Sequence, residues 1–324
     1  EPGGAVAEER GVPQVAALDG LLPQADVVGL AVGLATCFAI YSWVAFETSF
    51  DSHFESAENI YRVTTFSNDP SEGGIASTYP MVKSRMLTQF PEVLESARLF
   101  NEGFLGSKTR VRVDDKVFTN VRFYYGDESI LNIFSFKVLT GTQQALQAPN
   151  GVILTQTMAK RLFAAGDPIG KSVVVGDGRE FQVTAVVDDV PLNSHFHFDM
   201  LASMQAHPWI KKAEENLWSG VVFHTYVKLR KDANPNTLEV KLKNLLDNFP
   251  DDPKQFGKAI SLRLQPLRDI HLRSNLKFEL EPNGNILYVY VFSTIGILVL
   301  VLAIINYVNL ATARHLRRYK EVGV

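Results

Sequence analysis

Cysteine is almost absent from this sequence: Cys37 is the only one in 324 residues, so no internal disulfide can brace the fold. An excess of basic charge is missing too. Lys and Arg number 32 against 35 Asp and Glu, a net charge of −3, which leaves no electrostatic case for a nucleic-acid partner. There is no internal repeat and no low-complexity linker. The 7 His and the scattered Ser form no pattern that singles out a nucleophile and its base. Residues 1–25, opening "EPGGAVAEERGVPQ", lack the basic segment of a signal peptide and read as a disordered or atypical tail of Gly, Pro, Ala and acids.

Charge is also missing from two long stretches, and here the absence is informative. From Val27 to Phe46, "VVGLAVGLATCFAIYSWVAF" runs 20 residues without a charged group. As a helix it would be about 30 Å long, the thickness of a bilayer's hydrocarbon core. The second stretch, uncharged from Pro282 to Ala313, is Leu, Ile and Val through its middle. Residues 26–46 and 286–313 are therefore expected to be transmembrane helices. Gly29 and Gly33 form a GxxxG that lets another helix approach closely. Asn306, Asn309 and Ala313, spaced by three and four, fall on one helix face, where the two amides are costly against lipid and call for another helix or a polar crevice. Immediately after comes "RHLRRYKEVGV", whose cluster of Arg and Lys assigns that end to the cytoplasm by the positive-inside rule. Residues 47–285 are then outside.

This outer section, with 27 basic and 29 acidic residues, has the near-neutral balance of a soluble surface. Strand signals recur in "NIYRVTTF", around Asp114-Asp115, in "GVILT", around Gly176-Asp177-Gly178, in "GVVFHTYVKLR" and in "AISLRLQPL". Helix signals occur in "STYPMVKSRMLTQFPE", with Ser77 or Thr78 as cap and Pro91 as stop, in "QTMAKRLF" and in "NPNTLEVKLKNLLDNF". The expected class is α+β, in two subdomains.

Two segments invite a chemical reading. "AAGDPIGKS" ends in the Gly-Lys-Ser of a phosphate-binding loop, but Ala165 stands where the first glycine belongs. A helix precedes the segment and a strand follows, so no helix N-terminus faces a phosphate. A turn is the better reading. In "NSHFHFD", His195, His197 and Asp199 alternate, and on a strand they could converge on a metal. No further His or Cys lies nearby in sequence, and a polar strand face opposite Phe196 and Phe198 is the simpler expectation.

Taken in order, "GLAVGLATCFAIYSWVAFETSFDSHFESAENIYRV", "LTQTMAKRLFAAGDPIGKSV", "PLNSHFHFD" and "NYVNLATARHLRRYKEVGV" resemble the ABC transporter permeases of the MacB/FtsX type, over about residues 26–324. The resemblance implies a non-catalytic permease subunit of the bacterial inner membrane, with a MacB-like periplasmic core domain between its first two spans and no cofactor. It implies a separate ABC ATPase subunit, a second permease copy in a dimer and a partner or substrate in the periplasm. Residues 314–324 would begin the cytoplasmic coupling segment that touches the ATPase, and Arg314, Arg317, Lys320, Glu321 and Gly323 belong to that segment. The family's chain continues with more spans, so this one is expected to be truncated after the second. Two other readings of the residues stay open: a two-span sensor with an outer ligand-binding domain, and a membrane-anchored metalloenzyme using His195 and His197.

Overall fold

Alternation of apolar and polar residues builds the strands of residues 49–285, and continuous apolar runs place some of them at the centre of the sheet. The computed structural model describes residues 14–67, 69, 71–101, 109–164, 166–176, 178–215, 220–242, 245 and 260–322. They divide into two compact units. Helices α1 (Gln14–Thr48) and α8 (Ile286–Val322) belong to one, and Ser49–Asn285 is the other.

Among the described residues of the unit Ser49–Asn285, thirteen strands join one sheet. They are β1 (Ile60–Ser67), β2 (Gly74–Ile75), β3 (Val93–Phe100), β4 (Thr109–Val113), β5 (Lys116–Val121), β6 (Phe123–Gly126) and β7 (Val138–Gly141). Then follow β8 (Gly151–Thr155), β9 (Ser172–Val175), β10 (Arg179–Val187), β11 (Met200–Ser203), β12 (His224–Leu229) and β13 (Ile260–Pro266). The order across the sheet is β13-β1-β12-β3-β6-β11-β8-β10-β9-β4-β5, with β2 beside β1 and β7 beside β10. Pairing is antiparallel except for β8 with β10 and β6 with β11. The two expected subdomains are thus lobes of one sheet rather than separate bodies.

The central strands are covered on both faces, which is why "GVILT" is buried at every position. Ile153 and Leu201 face a cluster containing Phe134, Phe136, Phe196 and Phe198. Val152, Leu154, Met200 and Ala202 face the opposite cluster, with Phe181 and Tyr125. A third cluster lies under α2 (Val82–Gln89) and α6 (Pro235–Leu242), where Val63, Val227 and Leu264 meet Met86 and Leu242. The short helices α3 (Ile130–Ile133), α5 (Pro208–Glu215) and α7 (Ile270–Arg273) and the eight-residue α4 (Gln156–Phe163) complete the unit. Helix α4 is capped by Thr155, whose hydroxyl accepts from the Met158 amide.

Three local expectations change. Neither Ser77 nor Thr78 caps α2: the Thr78 backbone pairs with Phe223 and its hydroxyl bonds Thr225, because an extended partner is available there. The "NSHFHFD" segment is an irregular loop before β11, not a strand. Helix α1 includes residues 14–25, so these continue the helix instead of forming a tail, "QVAALDGLL" being rich in good helix formers; residues 1–13 of the expected tail lie outside the described residues.

Helices α1 and α8 pack antiparallel. A methyl at Gly29 would lie 3.6 Å from the Asn306 amide nitrogen, one at Gly33 3.4 Å from the Ala303 methyl, and one at Gly296 3.2 Å from Ile40. Trp43 meets Phe292 edge to face, with ring centroids 5.0 Å apart. Small residues on both helices let the backbones approach. Asn306 is half-buried in this seam, whereas Asn309 is exposed, the three-residue step having rotated it off the contact; the side chain of Ala313 lies outside the described residues. The rest of the pair is apolar and open, with Phe38 at 71% and Leu302 at 65% exposure. Within these helices, Val27–Thr48 and Ile286–Thr312 are long and apolar enough to cross a membrane.

The antiparallel register makes a direct prediction. Gly33→Cys with Ala303→Cys, in a Cys37→Ser background, should form a disulfide, because the 3.4 Å between these Cβ positions needs only a slight opening to reach the span of about 3.5–4.5 Å that a disulfide requires. Oxidised chains should then take up no maleimide when denatured without reductant. The exposed pair Phe38→Cys with Leu302→Cys should keep both thiols. Free thiols in the first pair would show that the register is wrong.

Candidate functional site

The Gly-Lys-Ser segment takes the shape of a turn. Helix α4 ends at Phe163, and Ala164 follows in a positive-φ conformation (φ 55°). The Asp167 carboxylate then accepts from the Ile169 amide, the Pro168 carbonyl accepts from the Lys171 amide, and β9 begins at Ser172. Lys171 lies over the Phe163 ring at 5.0 Å. A strand follows the lysine, so no helix dipole is aimed at the loop.

Residues 191–199 are built differently. Phe196 and Phe198 are buried as their spacing suggests, but His195 and His197 are buried as well. The expected polar face is internal, and each histidine meets a carboxylate distant in sequence. His195 Nδ1 lies 2.9 Å from Asp51 Oδ1, its backbone amide donates to the same oxygen, and its Nε2 is 2.7 Å from the Tyr226 hydroxyl. Burial raises the Tyr226 hydroxyl far above the ordinary tyrosine range, so it stays protonated and donates to Nε2. His195 then donates from Nδ1 to Asp51, and both bonds are satisfied by the neutral ring. At His197, Nδ1 lies 2.9 Å from Glu281 Oε2 and Nε2 2.9 Å from the Pro191 carbonyl. Both of these oxygens accept, so making both bonds at once requires a proton on each ring nitrogen. Asp199 turns away from the histidines to accept from the Arg122 amide and guanidinium. Hydrogen bonds to protein thus occupy all four ring nitrogens, and among the described residues no group of three or more His, Cys, Asp or Glu is arranged to hold a metal.

Beside this loop lies a second buried polar cluster. Arg62 on β1 is fully buried and donates to both Glu279 oxygens, to Gln265 and to Ser274. Burial alone would raise the Glu279 carboxyl, but the Arg62 bonds and charge outweigh it and hold the group below its usual range. Asp127 is similar: burial works against its charge, and Arg98 with Lys83 overcomes it. His224 on β12 donates from Nε2 to the Phe278 carbonyl, and its Nδ1 has no hydrogen-bond partner among the described residues. Burial pushes its imidazole down from 6.5 to about 4; the bond to Phe278 opposes the shift and the Arg62 charge adds to it.

Of the remaining residues singled out in the sequence, four lie on α8. Arg314, Arg317, Lys320 and Glu321 fall on its helical backbone, which runs to Val322. Their side chains, and Gly323 altogether, lie outside the described residues. Sequence reasoning missed Asp51, Tyr226, Glu281 and the Arg62–Glu279 pair. One signal was available: "FETSFDSHF" and "KFELEPN" place carboxylates directly beside the two apolar runs.

The domain should lose stability on acidification. Between about pH 6.5 and about 4 the unfolded chain takes up a proton at residue 224 that the fold refuses. The His224 contribution is complete above pH 6.5 and is lost as pH falls, on the order of 3 kcal/mol in all. Glu279 and Asp127, held below their usual range, add loss in the same direction at lower pH. Thermal melts of the full chain should therefore fall from pH 7 to pH 4.5, and His224→Gln, whose amide still donates to Phe278, should flatten that fall. An unchanged slope in the variant would show that His224 does not carry the effect.

The model of the MacB-like periplasmic core domain family matches residues 27–245. Among solved structures, the chain is similar to a domain of a protein assigned as a permease from Porphyromonas gingivalis, at 19% identity and TM-score 0.57, covering 73% of this chain and 99% of that one. It also matches the periplasmic region of MacB from Actinobacillus actinomycetemcomitans, at 18% identity and TM-score 0.46, covering 66% and 91%. A third match is the extracellular domain of the noncanonic ABC-type transporter YknZ from Gram-positive bacteria, at 12% identity and TM-score 0.43, covering 64% and 100%. No curated protein matches the sequence. The family match spans more than half of the chain, from α1 through α6, and the chain belongs to the MacB-like periplasmic core domain family, a component of ABC-transporter permeases.

Proposed function

We propose that this chain is the permease part of an ABC transporter of the MacB/FtsX type, driven by ATP hydrolysis in a separate nucleotide-binding subunit. The observation that carries this reading is the arrangement itself: two apolar helices packed on each other bracket a folded domain of the family, and the second continues into a basic helical end. In this account α1 and α8 cross the bacterial inner membrane, with lipid and further helices against their exposed apolar faces. The domain works in the periplasm on a substrate or partner. The cationic end, Arg314, Arg317 and Lys320 with Glu321 and Gly323, meets the ATPase in the cytoplasm. A second copy of the permease completes the assembly.

Chemically, the chain's task is mechanical. An antiparallel pair closed by glycines and an aromatic edge contact moves as a stiff unit, because close packing resists small independent shifts of either helix. Small displacements at the basic end can then be carried along the pair to the domain. Export and mechanotransmission to a periplasmic partner are both served by that motion.

Purification of the full-length protein from its native membrane should bring with it an ABC ATPase subunit. Reversing two charges, Arg314→Glu with Arg317→Glu, should lower the amount recovered by about ten-fold, as loss of complementary charge at an interface does. Recovery of the permease without any ATPase, in mild detergent and at low salt, would contradict the reading.

A further inference from the structure

We propose, on the footing of the permease reading above, that residues 191–198 are the joint through which both membrane helices act on the domain, with Asp51 and Glu281 as its two positioning residues. The segment that leaves α1 is tied to this loop at successive residues. The Asp51 amide donates to the Asn193 carbonyl at 2.8 Å, and the Asn193 side chain donates to the Ser49 carbonyl and hydroxyl at 3.2 and 2.9 Å. The Asp51 carboxylate takes the His195 amide and ring, and His53 Nε2 lies 3.2 Å from the Ser194 hydroxyl. The segment that enters α8 is tied to the same loop two residues further on. The Glu281 carboxylate accepts the His197 amide at 2.8 Å and the His197 ring at 2.9 Å. Both carboxylates use one device: a single side chain holds the amide and the imidazole of one loop residue.

Behind the loop, the connection to the sheet is firm. Phe196 and Phe198 sit in the core with Phe134 and Phe136, His195 reaches Tyr226 on β12, and Asp199 is bonded to Arg122 and to the Thr155 amide. A pull on either connector therefore reaches β12, β8 and the aromatic core by bonded contacts within a few residues.

Asp51 has features that packing alone does not call for. It is fully buried, its backbone is left-handed at φ 57°, and its second oxygen, Oδ2, has no hydrogen-bond partner among the described residues. A buried carboxylate and a left-handed backbone at a residue other than glycine are each destabilising by about 1–3 kcal/mol. A glycine would close the same corner without either cost. What Asp51 provides instead is a fixed bond between the exit of α1 and the loop.

Asp51→Asn, which keeps a residue tolerant of the left-handed backbone, and Glu281→Gln, at a half-exposed side chain, test the assignment in the full-length protein reconstituted with its ATPase. In Asp51→Asn, amide exchange should rise about ten-fold within residues 191–198 and also in residues 279–281, while β4–β5 stays unchanged. A rise confined to residues 49–54 would overturn the joint. Spin labels at Val117 and Leu302 should report a distance that differs between the nucleotide-free and the ATP–vanadate-trapped protein. In either variant this difference should shrink by half or more, with ATP hydrolysis kept within about two-fold. A merely structural residue would not separate hydrolysis from movement. An undiminished difference in both variants would overturn the joint and leave the driven permease standing. No difference in the wild type would overturn the driven permease itself.

Discussion

Wherever a chain passes from an apolar helix into a folded domain, its backbone groups and any charge beside them must find partners away from water. In this protein Asp51 meets that constraint three residues after α1, and much of the surrounding structure is arranged around it. Its carboxylate fixes His195, His195 fixes the Tyr226 hydroxyl, and the phenylalanines flanking His195 and His197 anchor the loop in the core. The second connector is held by a carboxylate in the same way, and Arg62 with Glu279 secures it two residues earlier in the chain. Each bond alone has a modest net effect, but an orphaned partner in so buried a place would be costly, so the bonds stand or fall together.

The fold itself was largely written in the periodicity. "NIYRVTTF", "GVILT" and "AISLRLQPL" became strands, the Asp114-Asp115 hairpin formed, and the helix stop before Pro91 fell at Gln89. These features are local: a strand or a turn depends on alternation and on a few residues of special backbone preference. What alternation could not give was the sharing of a single sheet by both lobes. That requires knowing which strand lies beside which, and β6 and β11 pair across more than seventy residues of sequence. The cap of α2 went astray for a related reason. Thr78 has a distant strand partner, Phe223, and a tertiary bond displaces a local one.

The site was legible only in part. "NSHFHFD" stood out because two histidines and two phenylalanines alternate, and alternation led to a strand with a polar side. The loop buries both sets instead, because Asp51 lies 144 residues and Glu281 84 residues from the histidines they hold. No spacing rule spans such distances. The Gly-Lys-Ser of "AAGDPIGKS" illustrates the opposite case, since its missing glycine and its following strand are local facts that the sequence states outright. The glycines of α1 lie between these extremes. Gly29 and Gly33 marked a close approach, but their neighbours Asn306 and Ala303 emerge only from the antiparallel register.

The account needs the domain on one side of a membrane and the basic end of α8 on the other. Single cysteines at residues 192 and 320, in a Cys37→Ser background, can be probed on right-side-out spheroplasts with a membrane-impermeant maleimide. Leu192 is highly exposed, at 80%, and its replacement should be labelled in intact spheroplasts. The cysteine at Lys320 should be labelled only after the membrane is opened. Labelling of both positions from outside, or of position 320 alone, would contradict the driven-permease account.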